Sequence, residues 1–200
     1  PSSGGVALVT MLNILQGFNL PAVEEPQRTH LIVEAMRRAY RDRADYLGDP
    51  DFVDIPVDAL THPWYAAGLA RDIQMHRASP SLGNLSPEKG RDTSHFSILD
   101  GEGNRVAATL SINYPFGSCF MVEGTGVLLN DEMDDFSASP GVPNVYGLVG
   151  GEANAIAGGK RMLSSMSPTF VEDDGRVAIL GTPGGSCLLY TSDAADDETS

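Results

Sequence analysis

The sequence has little basic charge and few cysteines, and each of these scarcities disfavours particular classes of protein or kinds of site. It carries 13 Lys and Arg against 27 Asp and Glu, a net charge of −14. Nucleic-acid binding needs clustered basic residues, so that class of function is disfavoured. No apolar run reaches the ~20 residues that a membrane-spanning helix needs. Cys119 and Cys187 show no zinc-site spacing and form no disulfide framework. We expect no nucleic-acid partner, no membrane span in this chain, and no metal or other cofactor.

What is present is an ordinary globular composition. The 200 residues are 42% hydrophobic and 20% charged. Disordered chains have lower apolar content, so a folded protein with a sizeable core is expected. The length allows one domain or two small ones.

The first half of the sequence predicts helices. Residues 5–16 are apolar on nearly every side and end at Gly17, which predicts a buried helix. Residues 26–47 show helical spacing of apolar positions, and residues 63–76 follow Pro63 as a third helix. The arginines of the second helix are predicted to form a solvated face. They are Arg37, Arg38, Arg41 and Arg43.

The second half predicts strands. A loop over residues 77–92 precedes two hairpins, with strands over 95–100 and 104–113 and over 167–172 and 177–182. A short strand is expected at 126–130 and a long surface loop at 137–160. Helices followed by strands indicate an α+β fold.

The last residues change abruptly to a small and acidic composition. Residues 187–200 resemble the translation of a sequencing adapter, although a natural acidic tail would have the same composition. We exclude them from fold reasoning. We expect the chain to be a piece of a longer precursor that is truncated at both ends.

Three segments carry possible chemistry. The acidic run 131–135 is either a solvated turn or a cation site, but it lacks the spacing of a calcium loop. The hydroxyl cluster 164–167 is either a turn or a nucleophile, and the absence of a Gly-x-Ser-x-Gly motif favours the turn. Thr93 lies where a loop enters a strand. A cut before it would create a threonine whose own α-amine, with a pKa of about 7.7–8.0, could take the hydroxyl proton.

Ordered matches along residues 1–186 resemble the γ-glutamyltransferases, which are glutathione hydrolases of the N-terminal-nucleophile class. The matching segments are 1–5, 46–52, 93–97, 134–137, 140–147, 164–169 and 183–186. The resemblance implies the four-layer αββα sandwich of N-terminal-nucleophile hydrolases, incomplete at both ends. It also implies a precursor that cleaves itself between Asp92 and Thr93. Residues 1–92 would then end the large subunit, and residues 93–186 would begin the small one.

By resemblance, the catalytic residues are assigned position by position. Thr93 is the nucleophile, and Ser111 stands where the family has a threonine that supports it. Gly184 and Gly185 match the glycines whose backbone N–H groups form the oxyanion hole.

The substrate-binding residues follow in the same way. Asn113, Glu132 and Asp135 match residues that hold the α-ammonium of the substrate, whereas Ser164 and Ser165 match contacts to its α-carboxylate. Tyr146 lies in the segment that forms a lid in many members. The resemblance further implies a carboxylate-binding arginine located before Pro1.

The implied activity is γ-glutamyl transfer from glutathione and related amides to water, an amino acid or a peptide, through a γ-glutamyl-threonine. A cephalosporin or glutaryl acylase, a γ-polyglutamate transferase and an inert fragment are the alternatives. The expected ammonium clamp disfavours the acylase, whose acyl group lacks the amine. Export to the periplasm or secretion is expected by resemblance alone.

Overall fold

A computed structural model describes residues 2–80, 93–142 and 149–182. Four α-helices precede six strands in these ranges. They are α1 (Gly4–Leu15), α2 (Glu25–Tyr46), α3 (Val57–Leu60), α4 (Pro63–Ala70), β1 (Ser94–Leu99), β2 (Arg105–Leu110), β3 (Met121–Val122), β4 (Val127–Leu128), β5 (Thr169–Asp173) and β6 (Arg176–Leu180). No helix among the described residues is both long and apolar enough to span a membrane. The α+β class is thus confirmed, whereas the four-layer sandwich stays a prediction.

The helices pack on one another through a common apolar core. Its fully buried members come from three helices. They are Ala7, Met11 and Ile14 of α1, Ala35, Met36 and Ala39 of α2, and Ala66 of α4. The prediction that α1 is buried on every side was wrong, because Val9 and Leu12 are 41% and 57% exposed. Apolar composition alone does not show which side of a helix has a neighbour.

The third predicted helix is shorter than expected. α4 ends at Ala70, and the chain then turns, with Gln74 bridged to Arg77. The carbonyl of Gln74 lies 2.9 Å from Nε2 of His30 on α2. The carbonyl of Gln74 also accepts from the N–H of Arg77 at 3.2 Å, so a turn replaces the last part of the predicted helix.

The predicted solvated face of α2 was wrong for two of its arginines. Arg38 is buried and donates to a carboxylate oxygen of the buried Glu34 at 2.5 Å. Burial disfavours the charged carboxylate, but hydrogen bonds from Ser79 and Arg38 outweigh it and lower the pKa of Glu34 to about 2. Arg43 is also buried, and Arg41 is exposed as predicted.

The strands form three two-stranded antiparallel sheets, β1–β2, β3–β4 and β5–β6. The two longer hairpins occur close to the predicted positions and touch each other, since Ser97 Oγ donates to the carbonyl of Ile179 at 3.2 Å. Strand β3 was missed because two residues show no periodicity. The β1–β2 register pairs Ser94 with Leu110.

The predicted surface loop over residues 137–160 is partly buried. Ser137 and Asn154 are both buried, and the N–H of Gly151 donates to the carbonyl of Ala44 on α2 at 2.9 Å. A Cβ at Gly151 would lie 2.6 Å from that carbonyl oxygen, so only glycine fits this close approach. Residues 143–148 of this loop lie outside the described residues.

A second close approach joins the start of α1 to the segment after residue 163. The N–H of Ser3 donates to the carbonyl of Ser164 at 2.9 Å. A Cβ on Gly4 would lie 1.8 Å from Ser167 Oγ. Leu163 packs beneath this contact with Leu47 and Leu60. The helical region therefore fixes the position of the hydroxyl cluster.

Candidate active site

Thr93 and Ser111 face each other at the open end of the first hairpin. Each lies one residue beyond the paired Ser94 and Leu110, so the antiparallel register brings the two hydroxyls together. Thr93 is 7% exposed, and its Oγ1 donates to Ser111 Oγ at 3.3 Å. The predicted pair therefore has the contact that its proposed chemistry needs.

Asn113 continues the network from Ser111. Its backbone N–H donates to Ser111 Oγ at 3.0 Å, and its Nδ2 donates to the carbonyl of Asp131 at 3.3 Å. The residue has φ +72°, a left-handed conformation that Asn tolerates better than most residues. This turn brings Asn113 back toward the acidic run.

The acidic run forms a 3-10 turn over Glu132–Asp135, in which Glu132 and Asp135 are half-buried. Burial raises the pKa of Glu132, whereas the neighbouring side chains of Asp135 and Ser111 act in the opposite direction. Burial and then repulsion by Glu132 raise the pKa of Asp135 to about 7, although the positive charge of Arg43 acts in the opposite direction. Two carboxyls so close together favour a bound cation or a shared proton.

An ammonium group is one cation that such a carboxyl pair can bind. Within residues 2–80, 93–142 and 149–182, no group of three or more His, Cys, Asp or Glu is arranged to hold one. An ammonium group has three N–H donors, which carboxylate and amide oxygens can accept.

Asn154 joins the acidic turn to the hydroxyl cluster. Its Nδ2 donates to the carbonyl of Asp135 at 2.7 Å, and its Oδ1 accepts from the N–H of Leu163 at 3.2 Å. Leu163 directly precedes Ser164 and Ser165. One buried side chain therefore links the two groups of predicted substrate contacts.

Two buried oxygens at these groups have no hydrogen-bond partner among the described residues. They are Glu132 Oε1 and Ser165 Oγ. Unpartnered buried polar atoms are rare because they lose hydration without compensation. One belongs to the predicted ammonium clamp and the other to the predicted carboxylate contacts, so a ligand with both groups would satisfy both atoms.

Three predicted site residues, Tyr146, Gly184 and Gly185, lie outside the described residues, as does the predicted tail over 187–200. Three residues that contact the predicted site were missed by sequence reasoning, namely Ser3, Arg43 and Asn154. Ser3 lies in one of the segments that carried the resemblance, so that segment was a signal. Nothing in the local pattern distinguishes Arg43 from the exposed Arg41, or Asn154 from an ordinary loop residue.

Comparison with known proteins now defines the class of this chain. The sequence profile of the gamma-glutamyltranspeptidase family matches residues 1–191. The chain is 48% identical over 198 residues to the glutathione hydrolase proenzyme of Escherichia coli, with 96% of this chain and 34% of that protein covered. The glutathione hydrolase proenzyme of Pseudomonas aeruginosa is 49% identical over 197 residues, with 96% of this chain and 35% of that protein covered.

A solved structure of a differently named protein is also similar to this chain. The cephalosporin acylase from Bacillus halodurans superposes with a TM-score of 0.63 at 26% identity, covering 82% of this chain and 28% of that one. The chain belongs to the gamma-glutamyltranspeptidase family. It spans about a third of the length of the curated glutathione hydrolase proenzymes that it matches, with 34% and 35% covered.

Proposed function

We propose that the protein is a γ-glutamyl-transfer enzyme that acts on glutathione and related γ-glutamyl amides. The observation that carries the proposal is the hydrogen-bonded path from Thr93 through Ser111 and Asn113 to the acidic turn that contains Glu132 and Asp135. It links a hydroxyl nucleophile to a pair of carboxylates suited to an α-ammonium group. A γ-glutamyl donor carries both that ammonium and the carbonyl to be attacked.

The first chemical event is self-cleavage. Thr93 Oγ1 attacks the carbonyl carbon of Asp92, the C–N bond breaks, and Thr93 nitrogen takes the hydroxyl proton. Water then hydrolyses the resulting ester, which leaves a carboxylate on Asp92 and a free amine on Thr93. Residues 1–92 then end a large subunit, and residues 93–186 begin a small one.

Catalysis uses the same hydroxyl with its new base. The α-amine of Thr93 takes the hydroxyl proton while the oxygen bonds to the γ-carbonyl carbon. Backbone N–H groups of Gly184 and Gly185 are proposed to stabilise the oxyanion. The C–N bond of the amide then breaks, and the leaving amine receives the proton. Water or an amino-acid amine releases the γ-glutamyl group from the ester in the second half.

Substrate recognition divides between two groups. Asn113, Glu132 and Asp135 hold the α-ammonium, and Ser164 and Ser165 hold the α-carboxylate. The unpartnered Glu132 Oε1 and Ser165 Oγ support this division. Tyr146 is proposed to belong to a lid that limits water access.

Three further assignments complete the proposal. The expected architecture is the four-layer αββα sandwich of the N-terminal-nucleophile class. The two subunits come from one precursor, and the protein is exported to the periplasm or secreted. An acylase is disfavoured because Glu132 and Asp135 would face an acyl group without an amine.

The test is expression of the complete gene beside its Thr93→Ala variant. Wild type should give two subunits on a denaturing gel and release p-nitroaniline from γ-glutamyl-p-nitroanilide. The variant should remain one inactive chain. An uncut wild type without turnover would contradict the proposal. Faster hydrolysis of a glutaryl amide than of the γ-glutamyl amide would favour an acylase instead.

A further inference from the structure

Arg43 is a buried arginine that reaches from α2 into the hydroxyl cluster. It is 6% exposed, its Nε donates to Ser3 Oγ at 3.0 Å, and its Nη2 donates to the carbonyl of Leu163 at 3.4 Å. A buried guanidinium is costly unless its donors find partners, so such a residue has a definite structural or functional task. Neither contact partner is itself charged.

The hydrogen bonds of Arg43 continue directly to Ser164. Ser3 Oγ accepts from Arg43 and donates to the carbonyl of Ser164 at 2.9 Å, and the N–H of Ser3 donates to the same carbonyl at 2.9 Å. Removing the Arg43 side chain would therefore leave Ser3 Oγ and the Leu163 carbonyl without this donor, directly beside the backbone that carries Ser165 Oγ.

The peptide groups of Leu163 are held from two sides. Arg43 binds its carbonyl, whereas Asn154 Oδ1 accepts from its N–H at 3.2 Å. Asn154 also binds the carbonyl of Asp135. The distance between the acidic turn and the hydroxyl cluster is thus set by a short chain of buried hydrogen bonds in which Arg43 takes part.

The charge of Arg43 also acts on Asp135. Among the described residues, the charged groups that affect the pKa of Asp135 include Glu132 and Asp134 on its own turn and Arg43 from α2. The two carboxylates disfavour ionisation of Asp135, and Arg43 favours it. Arg43 is the positive member of this set.

We propose that Arg43 is a positioning residue that fixes the spacing between the α-carboxylate contacts at Ser164 and Ser165 and the α-ammonium clamp at Asp135. It acts through Ser3 and Leu163 and touches no substrate atom. The inference rests on the proposed function. It adds the residue that sets the distance between the two groups of contacts to the distance between the ammonium and the carboxylate of one α-amino acid. Because Arg43 precedes Thr93 in sequence, self-cleavage would turn these contacts into contacts between subunits.

The test uses Arg43→Met, Arg43→Lys and the matched Arg41→Met, expressed from the complete gene. Arg41 is on the same helix but exposed. With γ-glutamyl-p-nitroanilide, Arg43→Met should raise KM about 10-fold or more while kcat changes less than about threefold. Arg43→Lys retains the charge and should recover part of the loss, and Arg41→Met should match wild type.

A pH profile separates positioning from a general loss of structure. Without the Arg43 charge the pKa of Asp135 rises, so the acid limb of kcat/KM should move to higher pH in Arg43→Met but much less in Arg43→Lys. If Arg43→Met fails to give two subunits, Ser3→Ala provides the test. This variant removes the hydroxyl that links Arg43 to the carbonyl of Ser164, and it keeps the positive charge of Arg43. Ser3→Ala should raise KM without moving the acid limb.

The outcomes distinguish this inference from the proposed function. An active wild type with an unchanged KM in Arg43→Met, or in Ser3→Ala where Arg43→Met does not fold, overturns the inference alone. A fall in kcat without a rise in KM also overturns it. A wild type without γ-glutamyl turnover overturns the proposed function and the inference with it.

Discussion

The helical region, residues 2–80, and the strand region, residues 93–182, bury their apolar side chains very differently. Seven residues of α1, α2 and α4 form a buried core within the helical region. The hairpins instead leave Ile98, Leu99 and Leu110 about half exposed or more. Nevertheless, the predicted site residues that the structure describes all come from the strand region. The comparison indicates that a helical frame with its own core holds segments that carry the predicted site and have little core of their own.

The connection between the regions is polar as well as apolar. Leu163 enters a core cluster with Leu47 and Leu60, and Arg161 forms hydrogen bonds and an ion pair with the buried Asp49. These contacts fix the segment that leads into Ser164. Changes in the frame and changes in the site should therefore have distinguishable effects.

The largest expected effect is on the helical frame. Ile14 is fully buried, and Ile14→Ala should lower the free energy of unfolding by about 2–5 kcal/mol because it leaves a cavity. Chemical denaturation of the uncleavable Thr93→Ala precursor would measure this without subunit dissociation. The matched Leu12→Ala, on the exposed side of α1, should cost far less. Equal losses at the two positions would contradict the described core.

The next largest effect is a loss of activity that leaves the stability of the helical region unchanged. Asp135→Asn keeps the shape of the side chain but removes the charge opposite the proposed ammonium, so kcat/KM should fall about 100-fold. Melting temperature should stay near that of wild type. Steady-state kinetics with γ-glutamyl-p-nitroanilide would measure the loss. A variant as active as wild type would remove Asp135 from the clamp.

A smaller effect is expected at the contact between the regions. Hydrogen bonds from Arg161 outweigh burial and keep the pKa of Asp49 well below its usual range. Asp49→Asn should lower Tm by several degrees. The stability from this pair is present above the ordinary Asp pKa of about 3.9 and is lost as pH falls below it. The difference in Tm should therefore shrink in acid.

Asp51→Asn is the matched control for this contact. Asp51 also pairs with Arg161, but its side chain is exposed, so the change should have little effect on Tm. Thermal denaturation of both variants at neutral and acid pH would compare them. Equal shifts would mean that burial of Asp49 is not the source of its contribution.

The smallest effect is a shift in a pH profile. Glu132→Gln removes the charge that is the second largest cause of the raised pKa of Asp135. The pKa of Asp135 should fall, and the acid limb of kcat/KM should move about one unit lower. Asp134→Asn, which removes a weaker contribution, should shift it less. A shift to higher pH in either variant would contradict the described electrostatics.

The same two regions differ in how well the sequence predicted them. The limits of α1 and α2 follow from apolar spacing and differ from prediction by one residue at each end. The third predicted helix was six residues longer than α4. The contact of Gln74 with His30, which lies beyond the end of α4, is not visible in local sequence. Local periodicity thus predicted the long helices and the hairpins but not where tertiary contacts end an element.

Within the site, the resemblance predicted residues that the structure brings together, but it missed the buried residues that contact them. Thr93, Ser111, Asn113 and the acidic turn form one network, as the resemblance led us to expect. Arg43 was assigned to solvent because a buried arginine and an exposed one have the same spacing on a helix. Its partners lie 40 and 120 positions away in the sequence, so only the fold could reveal it.

The central claim is that Thr93 becomes both the new N-terminus and the site of the γ-glutamyl ester. Peptide mass spectrometry of the wild-type protein, quenched in acid during turnover of a γ-glutamyl amide, tests this most directly. We predict a small subunit that begins Thr93-Ser94-His95 and carries one γ-glutamyl group on Thr93. An intact Asp92–Thr93 bond in active protein, or a γ-glutamyl group on another residue, would contradict the account.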